Sequence, residues 1–266
     1  MRRSIHWERL LWLALTISLV LLVLPQANFV WLSFHADLGL GEVSDELTVG
    51  NYARLFTDPF YLHAFWLTVY LSALSAGFAL LLGFPAAYAL ARIGGWIANA
   101  ILSLVLTTSL LTIVVKLMGL NIILSPLGML NNQIGVFIGL VQYTLPLIIV
   151  LLFGVVQTIP VALEESAAIL GATRGATFWQ VLLPNVRPGL VSSGLIAFNM
   201  CMGAFTSAVL LGGGRVRTVP VLIQQMIIQD TNYARGAALS TVLVGFVFLL
   251  NLAVVGAIAR SGRRAH

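Results

Sequence analysis

The sequence predicts an all-α, polytopic membrane protein with six membrane-spanning helices and both termini in the cytoplasm. Three observations carry this. The chain is 59% hydrophobic and only 9% charged, where soluble domains carry about 25% charged residues. Its apolar residues gather into runs near the length of ~20 residues that a helix needs to cross the hydrocarbon core. Its bases divide unequally between the loops that those runs define.

The nine acids and fourteen bases are too few to cover the surface of 266 residues in water, so lipid is the implied solvent. The mean hydropathy of +1.00 agrees. The net charge of +5 does not point to nucleic acid. The bases are scattered, and several close apolar runs. The single cysteine, Cys201, excludes a disulfide framework within the chain and a multi-cysteine metal site. Its apolar surroundings make it a small core residue.

Arg2, Arg3 and Arg9 precede the first run as they would in a signal peptide. The run continues through Phe29, Val30 and Trp31 without a small-residue cleavage site, which predicts an uncleaved span at 10–34. The second span is expected at 61–91 and the third at 95–120, interrupted only by Lys116. No charge falls from 121 to 163, too long a stretch for one span. Ser125-Pro126-Leu127-Gly128 and Asn131-Asn132 mark a loop or short interfacial helix within it. A fourth span follows at 134–156, a fifth at 188–211 and a sixth at 236–259.

With the N-terminus inside, the cytoplasm holds Arg2, Arg3, Arg9, Arg92, Arg174, Arg187, Arg260, Arg263 and Arg264. The outside holds Arg54, Arg215, Arg217 and Arg235, with Lys116 near the outer end of the third span. This asymmetry predicts N-in, C-in. Asp37, Glu42, Asp45, Glu46 and Asp58 then share the first outer loop. A single transmembrane domain, 1–266, accounts for the whole chain.

The most informative segment is the inner loop 159–187. Pro160 suits a first helical turn. Glu164 and Glu165 sit near that helix's start, where its dipole favours anions. Gly171 suits a C-terminal cap. Thr173 can cap a second helix, which Pro184 ends or kinks. Ser166, Ala167 and Ala168 are small enough for a partner backbone to approach closely, and Glu165 offers a charge at the rim.

This stretch resembles the EAA loop of ABC importer permeases: Glu-Ala-Ala, three residues, Gly, nine residues, Ile-x-Leu-Pro. Here it reads Glu165-Ser166-Ala167, three residues, Gly171, nine residues, then Val181-Leu182-Leu183-Pro184. Ser for Ala and Val for Ile are the departures, and both keep small size or β-branching. The resemblance implies the type I importer permease fold and makes this loop the coupling helix that docks on an ATPase subunit. Glu164, Glu165, Ser166, Ala167, Ala168, Gly171, Ala172 and Pro184 would carry the docking. Asn51-Tyr52-Ala53-Arg54-Leu55-Phe56 with Asp58-Pro59, Gly83-Phe84-Pro85-Ala86-Ala87-Tyr88, and Gly119-Leu120-Asn121-Ile122-Ile123-Leu124-Ser125 are similar to polyamine-type permeases. Those resemblances imply two ATP-binding subunits that hold ATP and Mg, a second permease subunit and an extracytoplasmic binding protein. They also imply a place in the bacterial inner membrane. Arg2, Arg3, Arg263 and Arg264 can touch anionic lipid.

Polar residues within spans are candidates for the translocation pathway. These are Lys116, Gln142, Tyr143, Asn199 and Ser207, each also suited to snorkelling or an interhelical hydrogen bond. Tyr70, Trp66 and Tyr88 can stack a cation or anchor at the interface. No acid falls within a predicted span, so a polycation would find no counter-charge there. The resemblance to polyamine-type permeases, most closely to the first permease of spermidine/putrescine importers, implies spermidine or putrescine as the cargo, with small amines, opines, phosphonates and ferric chelates open. Gly212-Gly213-Gly214-Arg215 lacks the Gly-Lys-Ser/Thr of a P-loop and reads as a flexible outer loop. The chain is therefore expected to have no ATP site and no catalysis of its own.

Two other classes compete. A stand-alone secondary transporter or channel would need ionisable pairs in its spans or broken helices in matched halves, and the sequence displays neither. An intramembrane protease needs a histidine in the membrane, but His6, His35, His63 and His266 fall near ends or outer loops.

Overall fold

A computed structural model describes residues 7–39 and 41–263. Arg2, Arg3, His6, Arg264 and His266 lie outside the described residues. Among the described residues, five helices are long and apolar enough to cross a membrane, or six if one bent pair counts as a span. The chain divides into two units. One runs through Leu62 and resumes at Leu222–Phe246; the other holds His63–Val221 and the chain from Val247 onward.

In the first unit, α1 (Trp7–Ser33) covers the expected first span. None of its apolar window is buried within the chain, so its surroundings must be lipid or another protein. An antiparallel hairpin follows, β1 (His35–Gly39) and β2 (Glu42–Leu47), pairing Asp37 with Val43. The sequence predicts only a loop there. Tertiary hydrogen bonds fix this hairpin. Asn51 of α2 (Gly50–Thr57) donates to the carbonyls of Ser33 and His35 at 3.0 and 2.9 Å. Asn232, just before α12 (Tyr233–Arg263), donates to Asp37.

Helix α3 (Pro59–Ile93) begins with Pro59 at its first position, and the Asp58 carboxylate accepts from the Phe60 N–H at 2.9 Å. Its 35 residues rise about 50 Å, more than the hydrocarbon thickness. In the second unit, its buried residues recur at helical spacing, from Ala64, Thr68 and Leu71 through Ala79 and Gly83 to Ala87 and Leu90. Ala76, Ala79, Phe84 and Ala87 pack with Ile148, Leu152 and Val156 of α6 (Gln133–Gln157) and with Val186 and Ala197 of α9 (Leu183–Gly203), and Leu71 joins a second cluster with Val136, Leu140 and Cys201.

The third span departs from expectation. Instead of one helix at 95–120, α4 (Gly95–Leu110) and α5 (Ile113–Leu124) meet at 99°. Leu111 and Thr112 are extended, with ψ of 136° and 133°, which interrupts the helical ladder. Thr107, Thr108 and Ser109 each donate to the carbonyl four residues back, at 2.8 to 3.1 Å. Such back-bonding bends helices.

The fifth span is also redrawn. The helix does not begin at 188 and does not run to 211. A single apolar helix covers Arg174–Gly203, breaks at Ala204 (ψ 100°), and resumes as α10 (Thr206–Gly212). Pro184 does not end it. A π turn at Phe178–Leu182 precedes the proline, and the Leu183 N–H reaches back five residues to the Phe178 carbonyl. That wider register accommodates a residue with no N–H to donate.

The expected outer loop 212–235 is partly helical, with α11 (Val219–Gln224) continuing as a π turn to Gln229. Gly212 and Gly213 form a packed turn, while Gly214 stands open. Gly212 is buried, and Gly213, at φ +54°, has the Asn131 side chain where a Cβ would stand.

Candidate functional site

The loop 159–187 folds as the helix–turn–helix that its residues predict. Helix α7 (Val161–Ile169) has Pro160 at its N-cap and Glu164 in its first turn. Gly171 takes φ +82°, a conformation that favours glycine, and the Gly171 and Ala172 N–H groups close the turn onto the Ala168 and Ala167 carbonyls. The Thr173 hydroxyl accepts from the Ala176 N–H at 3.3 Å and opens α8 (Arg174–Thr177), which leads through the π turn into α9.

No residue of α7 is buried. Ile169 and Leu170 are 86% and 87% exposed, and Val161, Leu163 and Trp179 are also exposed. Glu165, Ser166, Ala168, Gly171 and Pro184 are exposed, while Ala167 and Ala172 are half-buried.

Glu164 points elsewhere. Its Oε2 accepts from the Tyr88 hydroxyl at 2.7 Å, and its Oε1 accepts from Arg92 Nη2 at 2.5 Å. Arg92 also donates through Nη1 to the Ile159 carbonyl at 3.3 Å, and its guanidinium carbon lies 5.5 Å from the centre of the Tyr88 ring. The Arg92 and Glu164 side chains are 17% and 18% exposed. A cavity of about 440 Å³ adjoins this group, walled by Tyr88, Glu164, Arg174 and Phe178 among others.

The sequence alone makes Tyr88 a pathway candidate and Arg92 only an inner base. The structure joins both to Glu164. The available signal was the four-residue spacing of Tyr88 and Arg92, which puts them on one helix face. That Glu164 is their partner is a tertiary fact.

The remaining candidates do not assemble. No hydrogen bond among the described residues joins Tyr70, Lys116, Gln142, Tyr143 and Asn199 to one another. Tyr70 and Trp66 are exposed on α3. Lys116 is half-buried on α5, and Gln142 and Tyr143 are half-buried on α6. Gln142 Oε1 and Ser207 Oγ are buried without a partner. Asn199 pairs with Asn251 of α12.

Comparison with known proteins accords with this architecture. Residues 79–266 match the family model described as the binding-protein-dependent transport system inner membrane component. The chain is 29% identical over 245 residues to a spermidine/putrescine transport system permease protein of Haemophilus influenzae, covering 86% of this chain and 85% of that one. It is 31% identical over 213 residues to a molybdenum transport system permease protein of Mycobacterium bovis, covering 74% and 81%. Among solved structures, a bacterial ABC transporter that imports the polysaccharide alginate superposes with a TM-score of 0.71 at 18% identity, covering 96% of each chain. The MetNI methionine ABC transporter superposes with a TM-score of 0.64 at 22% identity, covering 77% of this chain and 98% of that one. The chain belongs to the family of binding-protein-dependent transport system inner membrane components, the permease subunits of ABC importers.

Proposed function

We propose that α7 is the element through which this permease meets its ATPase, and that the chain forms half of an import path for a polyamine or related small amine. The observation that carries the docking assignment is the exposure of α7. A nine-residue helix with no buried side chain ends in two apolar residues left almost wholly in the open. Ile169 and Leu170 suit a hydrophobic groove on a partner. Glu165, Ser166 and Ala168 beside them allow close approach and a charge at the rim. Placing α7 and Arg92 in the cytoplasm agrees with the distribution of bases, and makes the orientation N-in, C-in.

The assembly we infer contains two ATP-binding subunits, a second permease and an extracytoplasmic binding protein. A periplasmic protein carrying an alginate pentasaccharide accompanies one related transporter, whose chain superposes here with a TM-score of 0.67.

The polyamine assignment rests on the relatives whose match extends over most of this chain. The described spanning segments hold no acid. Selection of the cation then rests on the binding protein and the second permease, with aromatic rings and carbonyls along the path.

The test is to tag the C-terminus, extract in mild detergent and identify what co-purifies. Recovery of an ATPase with wild type, and its loss with Gly171→Asp, supports the docking assignment. Recovery that is unaffected by Gly171→Asp and Glu165→Lys overturns it. Titrating the associated binding protein with spermidine, putrescine, molybdate and alginate oligosaccharides then tests the cargo. Failure of the amines to bind, with binding of another class, removes the polyamine reading.

A further inference from the structure

We propose that Arg92 is a positioning residue that makes α7 move with α3, so that displacement of the docking helix reaches the longest helix of the chain directly. The proposal rests on α7 being the ATPase-docking element.

A helix with no buried side chain gains little from packing and is free to tilt or slide about its two connections. One connection is the short link Thr158–Pro160 after α6. The other is the turn at Gly171, whose left-handed backbone lies in open space. Among the described residues, the side-chain hydrogen bonds of α7 are two in kind. Ser166 donates to the Ala162 carbonyl within the helix itself, and Glu164 leaves the helix to bind α3. Glu164 is therefore the polar tether of α7 to the spanning helices.

The geometry suits transmission of force. Each carboxylate oxygen is taken by a different residue of α3, and Tyr88 and Arg92 stand one turn apart. The carboxylate cannot rotate without losing one of the two. Arg92 holds a second point as well, the Ile159 carbonyl at the entry to α7. One guanidinium thus spans the base of the docking helix and its own carboxylate, with both charges largely removed from water. A charged pair in such surroundings is screened less and yields less easily than a surface pair. Without it, α7 would keep the Tyr88 hydrogen bond, its contacts with α8 and the π turn, and the peptides leading to α6 and α8, none of which carries a charge to α3.

The experiment uses the full transporter in proteoliposomes with its binding protein and cargo. It measures subunit recovery, basal ATP hydrolysis, and cargo imported per ATP hydrolysed. Arg92→Gln is expected to keep the ATPase subunit and basal hydrolysis while lowering import per ATP at least tenfold. The exchange Arg92→Glu with Glu164→Arg is expected to recover several-fold over Arg92→Gln, because the pair is restored with its ends reversed. Arg92→Lys keeps the charge but lacks the planar fork that serves the two acceptors from separate nitrogens, and should fall between. Should Arg92→Gln fail to insert, Arg92→Lys is read in the same assays. Import per ATP equal to wild type in Arg92→Gln, or in Arg92→Lys where it stands in, overturns the proposal, as does an exchange variant no better than Arg92→Gln. A wild-type chain that recruits no ATPase would instead overturn the docking assignment beneath it. Full recruitment with unimpaired coupling in the variants would overturn the tether alone.

Discussion

Asn199 of α9 and Asn251 of α12 exchange side-chain amide hydrogen bonds, at 3.0 and 3.2 Å. Asn251 also donates to the Val247 carbonyl one turn back in its own helix. Two amides that bond each other satisfy donors and acceptors that lipid would leave unmet. Measured interhelical polar bonds of this type average about 0.6 kcal/mol and reach about 1.7. Asn199→Ala and Asn251→Ala should each lower thermal stability in detergent within that range. The double Asn→Ala variant should lose less than the sum of the two, because neither amide is then left alone. Strict additivity in that cycle would mean the pair is not an energetic unit.

Thr68 is a second test of interhelical polarity. Its hydroxyl accepts from the buried Val219 N–H at 2.9 Å and donates to the Ala64 carbonyl at 2.7 Å. Val219 is the first residue of α11, so its N–H has no partner within that helix. Thr68→Val keeps the shape and orphans that N–H, which should cost about 1–3 kcal/mol. Thr68→Ser should restore most of it. Unfolding monitored by tryptophan fluorescence in detergent measures both.

Glycine substitutions should separate close packing from open surface. A Cβ on Gly189 would stand 2.5 Å from Val155 Cγ1, and one on Gly139 would stand 2.6 Å from Leu211 Cδ1 and 3.1 Å from Leu117 Cδ2. Gly189→Ala and Gly139→Ala should each destabilise by about 1–3 kcal/mol through overpacking. Nothing lies within 4 Å of a Cβ on Gly154, so Gly154→Ala should leave stability unchanged or raise it by up to about 1 kcal/mol. A thermal-shift series on the three variants distinguishes them.

The hairpin of the first unit depends on Asn51, which is 7% exposed. Removing its amide leaves the Ser33 and His35 carbonyls without that donor at the end of α1. Asn51→Ala should cost about 1–3 kcal/mol and should speed proteolytic cleavage within 35–47, read as the half-life of the intact chain. Asn51→Asp, which cannot donate, should behave like Asn51→Ala.

The sequence by itself determined the solvent, the helical class and the helix–turn–helix of loop 159–187. Long charge-free runs have one favourable solution in lipid, a helix that satisfies its own backbone. The loop was legible because its devices are local. Pro160, Gly171 and Thr173 act on backbone within a few residues of themselves, and the structure finds all three at the boundaries of α7 and α8.

The tertiary structure decided the rest. Neither break in the third and fifth spans falls at a proline, although Thr107-Thr108-Ser109 offered a faint signal for the first. What makes the first break tolerable is long-range. Asn121 donates to the Leu210 carbonyl at 3.1 Å, and Leu117 is buried, so α5 is held from outside itself. Likewise, Glu164 reads in sequence as one of two acids on a helix favouring anions at its start. Only folding turns Glu165 to the open and Glu164 to Arg92, a residue 72 positions away. Sequence patterns report which surroundings a segment tolerates; side-chain partners distant in the chain depend on how the helices cross, and no local spacing encodes that.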